Sequence, residues 1–228
     1  MVTAVIVAAG RGTRMGPNVD KLFLELAGRP VVLHTWLRFD SCPAIDHVVL
    51  VIRPDLKRVL EALAKSQPLT KPYTFTVGGA ERQDSVWNGL EAAPRDTELV
   101  AIQDAARPCA SHELIADTIT AARAHGAAVA ASPVIDTIKE STDGRVISRH
   151  LDRSRLWAVQ TPQTFRMVVI RRAIEAARAK GQNFTDDTAA CEAIGQSVQL
   201  VSSRSPNPKV TTPDDLPLVE LYLKQPVK

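Results

Sequence analysis

Aromatic residues are scarce in this 228-residue chain, at 4%, which argues against a surface of stacking rings for single-stranded nucleic acid. The net charge is only +3, and no run of five or more like charges occurs. A basic stripe or polyanion-binding tail is therefore missing, and no nucleic-acid partner is expected. No apolar segment approaches the length of a bilayer span, and the chain starts on a strand pattern rather than a charged leader with an apolar stretch and cleavage site. A soluble, cytoplasmic protein with no membrane partner is the expectation. Cysteines number three, Cys42, Cys109 and Cys191, widely scattered and with no C-x-x-C, so zinc and a disulfide framework are disfavoured and buried thiols expected. The histidines lie far apart, and neither G-x-S-x-G nor H-E-x-x-H occurs. Chemistry built on a serine nucleophile or a resident zinc thus has no support here.

What is present is an ordinary globular balance, 45% hydrophobic and 23% charged, in a length that suits one α/β domain. Apolar, strand-like runs at Thr3–Ala8, Asp46–Ile52, Tyr73–Val77, Glu98–Gln103 and Ala127–Ser132 alternate with helical spacing at Val31–Phe39, Asp55–Lys65, Arg82–Ala92 and Ser111–His125. Such alternation predicts a mostly parallel sheet with helices on both faces, whose ligands sit at the carboxyl ends of strands. From Asp136 to about Thr164 the pattern breaks into a polar stretch with a turn at Thr142–Arg145, read as a hairpin. Two isolated strands are marginal in water, so the hairpin either packs on a second subunit or is a mobile excursion. Helices at Met167–Ala179, Asp186–Ile194 and Pro213–Tyr222 and a strand at Ser197–Ser202 complete the expected order.

Four segments carry the candidate chemistry. The first strand runs into Ala8-Ala9-Gly10-Arg11-Gly12-Thr13-Arg14-Met15-Gly16, with Lys21 beyond. Small residues and glycines let backbone N–H groups approach an anion. The spacing fits neither the dinucleotide fingerprint nor the ATPase loop, and a simple tight turn explains the glycines equally well. Gly78-Gly79-Ala80-Glu81-Arg82-Gln83-Asp84-Ser85 repeats that logic after the third strand, with helix capping as the alternative. Asp104-Ala105-Ala106-Arg107-Pro108 places an acid at the end of a central strand, suited to a metal-bound phosphate or a ribose hydroxyl, or else to a structural Asp–Arg pair. Late in the chain, Lys209 precedes a helix that Thr212 is expected to cap with Pro213 at its first position. Cations without a nucleophilic side chain suit phosphoryl or nucleotidyl transfer, where positioning and charge stabilisation dominate.

Together with Asp136-Thr137-Ile138-Lys139, Asp152-Arg153, Leu156-Trp157, Thr161-Pro162-Gln163 and Lys209-Val210-Thr211, these segments resemble the 2-C-methyl-D-erythritol 4-phosphate cytidylyltransferases over essentially the whole chain. The resemblance implies a single Rossmann-like nucleotidyltransferase domain over 1–228, with 136–160 as a protruding dimerisation arm. It implies transfer of a cytidylyl group from CTP to methylerythritol phosphate with Mg²⁺ present. By that resemblance Arg14 and Lys21 stabilise the transition state, while Arg153, acting in the neighbouring subunit, and Lys209 position the acceptor. Ala8, Ala9, Gly10, Gly12, Gly79, Ser85, Asp104 and Ala105 form the nucleotide pocket. Thr137, Arg107, Thr161 and Thr211 contact the acceptor, and Asp104 meets a metal held mainly on nucleotide phosphates. Two departures stand out: Val7 where a proline commonly precedes the turn, and Pro208 where an apolar residue is common. A ribitol 5-phosphate cytidylyltransferase shares several of these segments, and an inactive nucleotide-binding regulatory protein is the remaining alternative. The pairing of Asp152-Arg153 with Leu156-Trp157 favours the methylerythritol branch.

Overall fold

In the computed structural model, residues 1–10 and 20–224 are described. Strand β1 (Val2–Ala8) is followed by a two-residue ribbon, β2 (Glu25–Leu26) and β3 (Arg29–Pro30), and then by helix α1 (Val31–Asp40). Next come β4 (His47–Ile52), α2 (Lys57–Lys65), β5 (Tyr73–Val77), α3 (Arg82–Ala92), β6 (Leu99–Asp104), α4 (His112–His125) and β7 (Ala127–Pro133). The arm carries β8 (Lys139–Glu140) and β9 (Arg149–His150), after which β10 (Trp157–Arg166), α5 (Met167–Ala179), α6 (Asp187–Glu192), β11 (Gln199–Ser202) and α7 (Asp215–Lys224) complete the chain.

The main sheet has seven strands in the order β11-β7-β10-β6-β1-β4-β5. Its central strands are apolar on both faces because helices cover both. Val2, Ala4 and Ile6 of β1 join Trp36 and Phe39 of α1 in one core, while Val5 turns to the other core with Val86 and Leu90 of α3 and Ile170 of α5. Alternation by single residues is the strand period, so each strand contributes to both layers. Gly89 lets α3 lie close on the sheet: a Cβ there would stand 2.4 Å from Val5 Cγ1 and 2.9 Å from Val51 Cγ2. Helix ends follow local chemistry. Ser111 Oγ accepts from Leu114 N at the start of α4, and Gly126, at φ 92°, closes it.

Two expectations are corrected. The stretch from Asp136 to Thr164 is not one polar hairpin: the paired part is only Lys139↔His150 and Glu140↔Arg149, closed by Asp143 Oδ1 accepting from Arg145 N and Val146 N. The returning chain becomes β10, which inserts antiparallel between β6 and β7, with Gln163 opposite Ile102 on one side and Val129 on the other. Its first three residues are exposed and residues 161–165 are buried. Only the outer half of that stretch therefore stands clear of the sheet. The second correction concerns the last helix. It starts at Asp215 rather than Pro213, and the Asp215 carboxylate accepts from Thr211 N at 2.7 Å and Thr212 N at 2.8 Å. Thr212 Oγ1 likewise donates to that carboxylate at 3.3 Å, so its hydroxyl is turned to Asp215 and the carboxylate ties the preceding turn to the helix start.

Candidate functional site

Strands β4 and β5 extend the sheet on one side of β1, and β6 on the other, so the strand order reverses direction at β1. Ligands of open α/β sheets sit at such a switch, outside the carboxyl ends of the strands. A cavity of about 250 Å³ opens there. Its walls bring together Ala8, Ala9 and Gly10 after β1, Gly79 and Ser85 around the start of α3, Asp104 and Ala105 at the end of β6, Lys21 and Lys209. Segments separated by most of the chain length meet because three parallel strands end side by side.

The glycines following β5 serve close packing. A Cβ on Gly78 would lie 2.3 Å from Ala9 Cβ, and one on Gly79 would lie 2.2 Å from Asp84 Cβ. The segments after β1 and β5 are thereby pressed together, and Ala9 has to be small for the same reason. Ser85 is 3% exposed, and its Oγ accepts from Gly79 N at 3.1 Å. Its hydroxyl proton remains available to a ligand.

Asp104 is the electrostatic centre. Its Oδ2 lies 2.7 Å from Lys209 Nζ and 3.7 Å from Arg107 Nε. Burial pushes the carboxyl up, but Lys209, Arg82 and Arg107 outweigh it and hold Asp104 below the ordinary carboxylate range. Its amide donates to Thr161 Oγ1 at 3.0 Å, which ties β6 to β10 at the site. Lys21 Nζ donates to Val210 O at 3.0 Å, and Thr211 Oγ1 donates to Lys209 O. The late loop is thus clasped from the first segment. Arg107 sits outside the cavity wall, its Nη1 donating to Asn207 O at 2.8 Å. Asn207 Nδ2 in turn donates to Thr161 O.

Arg153 and Thr137 are exposed on the arm and outside this cavity wall. Arg153 Nη1 donates to Ile135 O, which holds the guanidinium against the segment between β7 and β8 that carries Thr137. Arg14 and Gly12 lie outside the described residues.

Sequence reasoning left two cations unassigned. Arg82, the first residue of α3, lines the cavity, and its Nη2 is 2.8 Å from the Asp187 carboxylate on α6, which is 3% exposed. Arg53, directly after β4, donates to Gly10 O and pairs with Asp20, so one side chain ties Gly10 to Asp20. For Arg53 the available signal was its place at the ligand edge of a strand. For Arg82 it was membership of the glycine segment.

Among the described residues no group of three or more His, Cys, Asp or Glu side chains is arranged to hold a metal ion. Among the described residues the cavity wall carries two carboxylates, Asp104 and Glu81, so a divalent cation here would need most of its oxygens from a ligand and water, which is the usual habit of Mg²⁺. Anions fit the remainder: Lys21, Lys209 and Arg82 converge on a cleft with small residues at its floor.

The profile of the 2-C-methyl-D-erythritol 4-phosphate cytidylyltransferases matches residues 2–225. The chain is 42% identical over 225 residues to the enzyme of that name from Desulforamulus reducens, covering 98% of this chain and 96% of the relative. Its fold superposes on a crystal structure of 4-diphosphocytidyl-2C-methyl-D-erythritol synthase from Anaerococcus prevotii with TM-score 0.86 at 30% identity, covering 98% and 96% of the two chains. The Thermus thermophilus 2-C-methyl-D-erythritol 4-phosphate cytidylyltransferase superposes with TM-score 0.78 at 33% identity, covering 97% and 98%. On fold, site and full-length similarity together, the chain belongs to the 2-C-methyl-D-erythritol 4-phosphate cytidylyltransferase family.

Proposed function

We propose that this protein transfers a cytidylyl group from CTP to 2-C-methyl-D-erythritol 4-phosphate, giving 4-diphosphocytidyl-2-C-methyl-D-erythritol and pyrophosphate. The observation that carries this reading is the family match over nearly the whole chain. An acceptor phosphate oxygen attacks the α-phosphorus of CTP, the bond from that phosphorus to the β-bridging oxygen breaks, and the electron pair leaves with pyrophosphate. The nucleophile is already anionic, so no side chain has to remove a proton. Burden falls on charge and alignment instead. Lys21 meets the phosphate chain from the β1 side together with Arg14, and Lys209 orients the acceptor phosphate from the far side. Ser85 and the 8–10 and 79–80 backbone hold the nucleoside. Mg²⁺, when bound, would neutralise charge on the nucleotide phosphates, which with water would supply most of its ligands, since the Asp104 carboxylate is engaged by Lys209.

The arm supports a homodimer. Ile135, Val146 and Ile147 are 84%, 68% and 64% exposed, an apolar set that a second copy would cover. Arg153 would then complete the neighbour's site. A cytoplasmic location suits both substrates, and no described helix is long and apolar enough to cross a membrane. The test is pyrophosphate release by purified protein with Mg²⁺, CTP and methylerythritol phosphate, with ribitol 5-phosphate, ATP and GTP as controls. Rapid release with the first pair and far slower release with the controls is expected. Equal turnover of ribitol 5-phosphate would overturn the acceptor assignment.

A further inference from the structure

We propose that Arg107 is a positioning residue that takes over the Asp104 carboxylate when Lys209 leaves it for a bound phosphate. This rests on the cytidylyltransferase reading, in which Lys209 meets the acceptor. Two cations stand beside one oxygen, Asp104 Oδ2, at unequal distances: Lys209 Nζ at 2.7 Å and Arg107 Nε at 3.7 Å. The first is a charge-assisted hydrogen bond, and the second lies beyond hydrogen-bond reach. Arg107 Nε is buried and makes no hydrogen bond, although the same guanidinium is anchored through Nη1 to Asn207 O at 2.8 Å. A buried donor left unmade carries its full desolvation penalty, and structures rarely keep one without a reason. Burial lowers the Arg107 pKa by more than Asp104, at this separation, restores.

The two cations also differ in access. The Lys209 side chain is 36% exposed and lines the cavity, whereas that of Arg107 is 13% exposed and stands behind the wall. A phosphate entering the cavity therefore meets Lys209 first. Drawing Lys209 away would leave a largely buried carboxylate facing an incoming anion, an arrangement that costs binding on both counts. A shift of about 1 Å by Arg107 Nε forms the missing bond at ordinary N–H···O distance. That one movement satisfies the orphaned donor, keeps Asp104 compensated and releases Lys209. No proton moves and no covalent bond changes.

The exchange is read directly by NMR of protein carrying ¹⁵N-labelled arginine. Titration with methylerythritol phosphate, its binding followed in parallel by calorimetry, should move the Arg107 Nε–H resonance downfield as it becomes hydrogen-bonded. Arg107→Met should weaken acceptor binding about tenfold while kcat falls less, the pattern of lost ground-state binding. Arg107→Lys should recover part of it. In an Asp104→Asn background the Arg107→Met increment should vanish, because a neutral amide needs no replacement counter-charge. A role limited to tethering Asn207 would keep the full increment in that background, and that result overturns the exchange. Acceptor binding without any Arg107 Nε–H shift overturns it too, whereas failure of methylerythritol phosphate to bind at all overturns the functional reading itself.

Discussion

Asp104 stands at the end of a strand whose preceding five residues are all buried, whereas Arg153 stands on a turn with no buried residue. Both belong to the site under the proposed mechanism, yet they are placed by different physics. The cavity side is set by strand register, close glycine packing and hydrogen bonds within one chain. The arm has a two-residue ladder, a few local hydrogen bonds and exposed apolar side chains. Geometry at Asp104 is thus set within the chain, whereas under the proposed dimer geometry at Arg153 would become definite only with a partner. On that proposal one half of the site is pre-organised by folding and the other by assembly.

The sharpest way to break this contrast is to inactivate each half separately. Lys21→Ala should raise the barrier by about 2.7–4 kcal/mol, a loss of roughly 10²–10³ in kcat, because under the proposed mechanism it removes a donor to the transferring phosphate. Mixed with inactive Arg153→Ala chains, it should regain activity through heterodimers in which one site has both residues. Absence of recovery despite subunit exchange, shown by mass spectrometry, would count against a shared site. Next in size is Arg53→Met, which unfastens Gly10 and Asp20 together. Charged hydrogen bonds of this kind contribute about 1.5–3 kcal/mol, so KM for CTP should rise well over tenfold while that for the acceptor moves little.

Gly89→Ala probes the rigid half without touching a ligand. Its Cβ would collide with Val5 and Val51 beneath the cavity floor, and overpacking of this kind costs about 1–3 kcal/mol, measurable by urea denaturation. A neutral result would mean that α3 can lift off the sheet freely, and the pre-organised half would be softer than described. Smallest for the protomer is Ile135→Glu on the arm. At an exposed position its effect on chain stability should stay within about 0.5 kcal/mol, yet sedimentation should show dissociation of the dimer. Retention of the dimer would move the interface away from this face.

Much of the cavity was legible beforehand because parallel strands buried on both faces leave near-continuous apolar runs, and the residues that follow them fall at one edge. Val2–Ala8, Leu99–Asp104 and the glycines after Val77 are all of this kind. Strand β10 was not legible. Its exposed first half and its proline read as the far side of a hairpin, since burial of residues 161–165 comes from β6 and β7, which lie far away in sequence. Arg82 and Arg53 escaped for a related reason: a charged residue after a strand looks the same whether it faces solvent or clasps Asp187 or Asp20.

By itself, then, the sequence determined the alternating α/β order and the strand-end segments that meet at the cavity, because periodicity and local backbone freedom are written residue by residue. Only the tertiary structure decided which cation holds Asp104, that Arg107 waits behind it with an unmade bond, and that a strand from the arm runs into the heart of the sheet. Those facts depend on distances between chain segments far apart in sequence, and such distances are settled when the two cores close around the sheet.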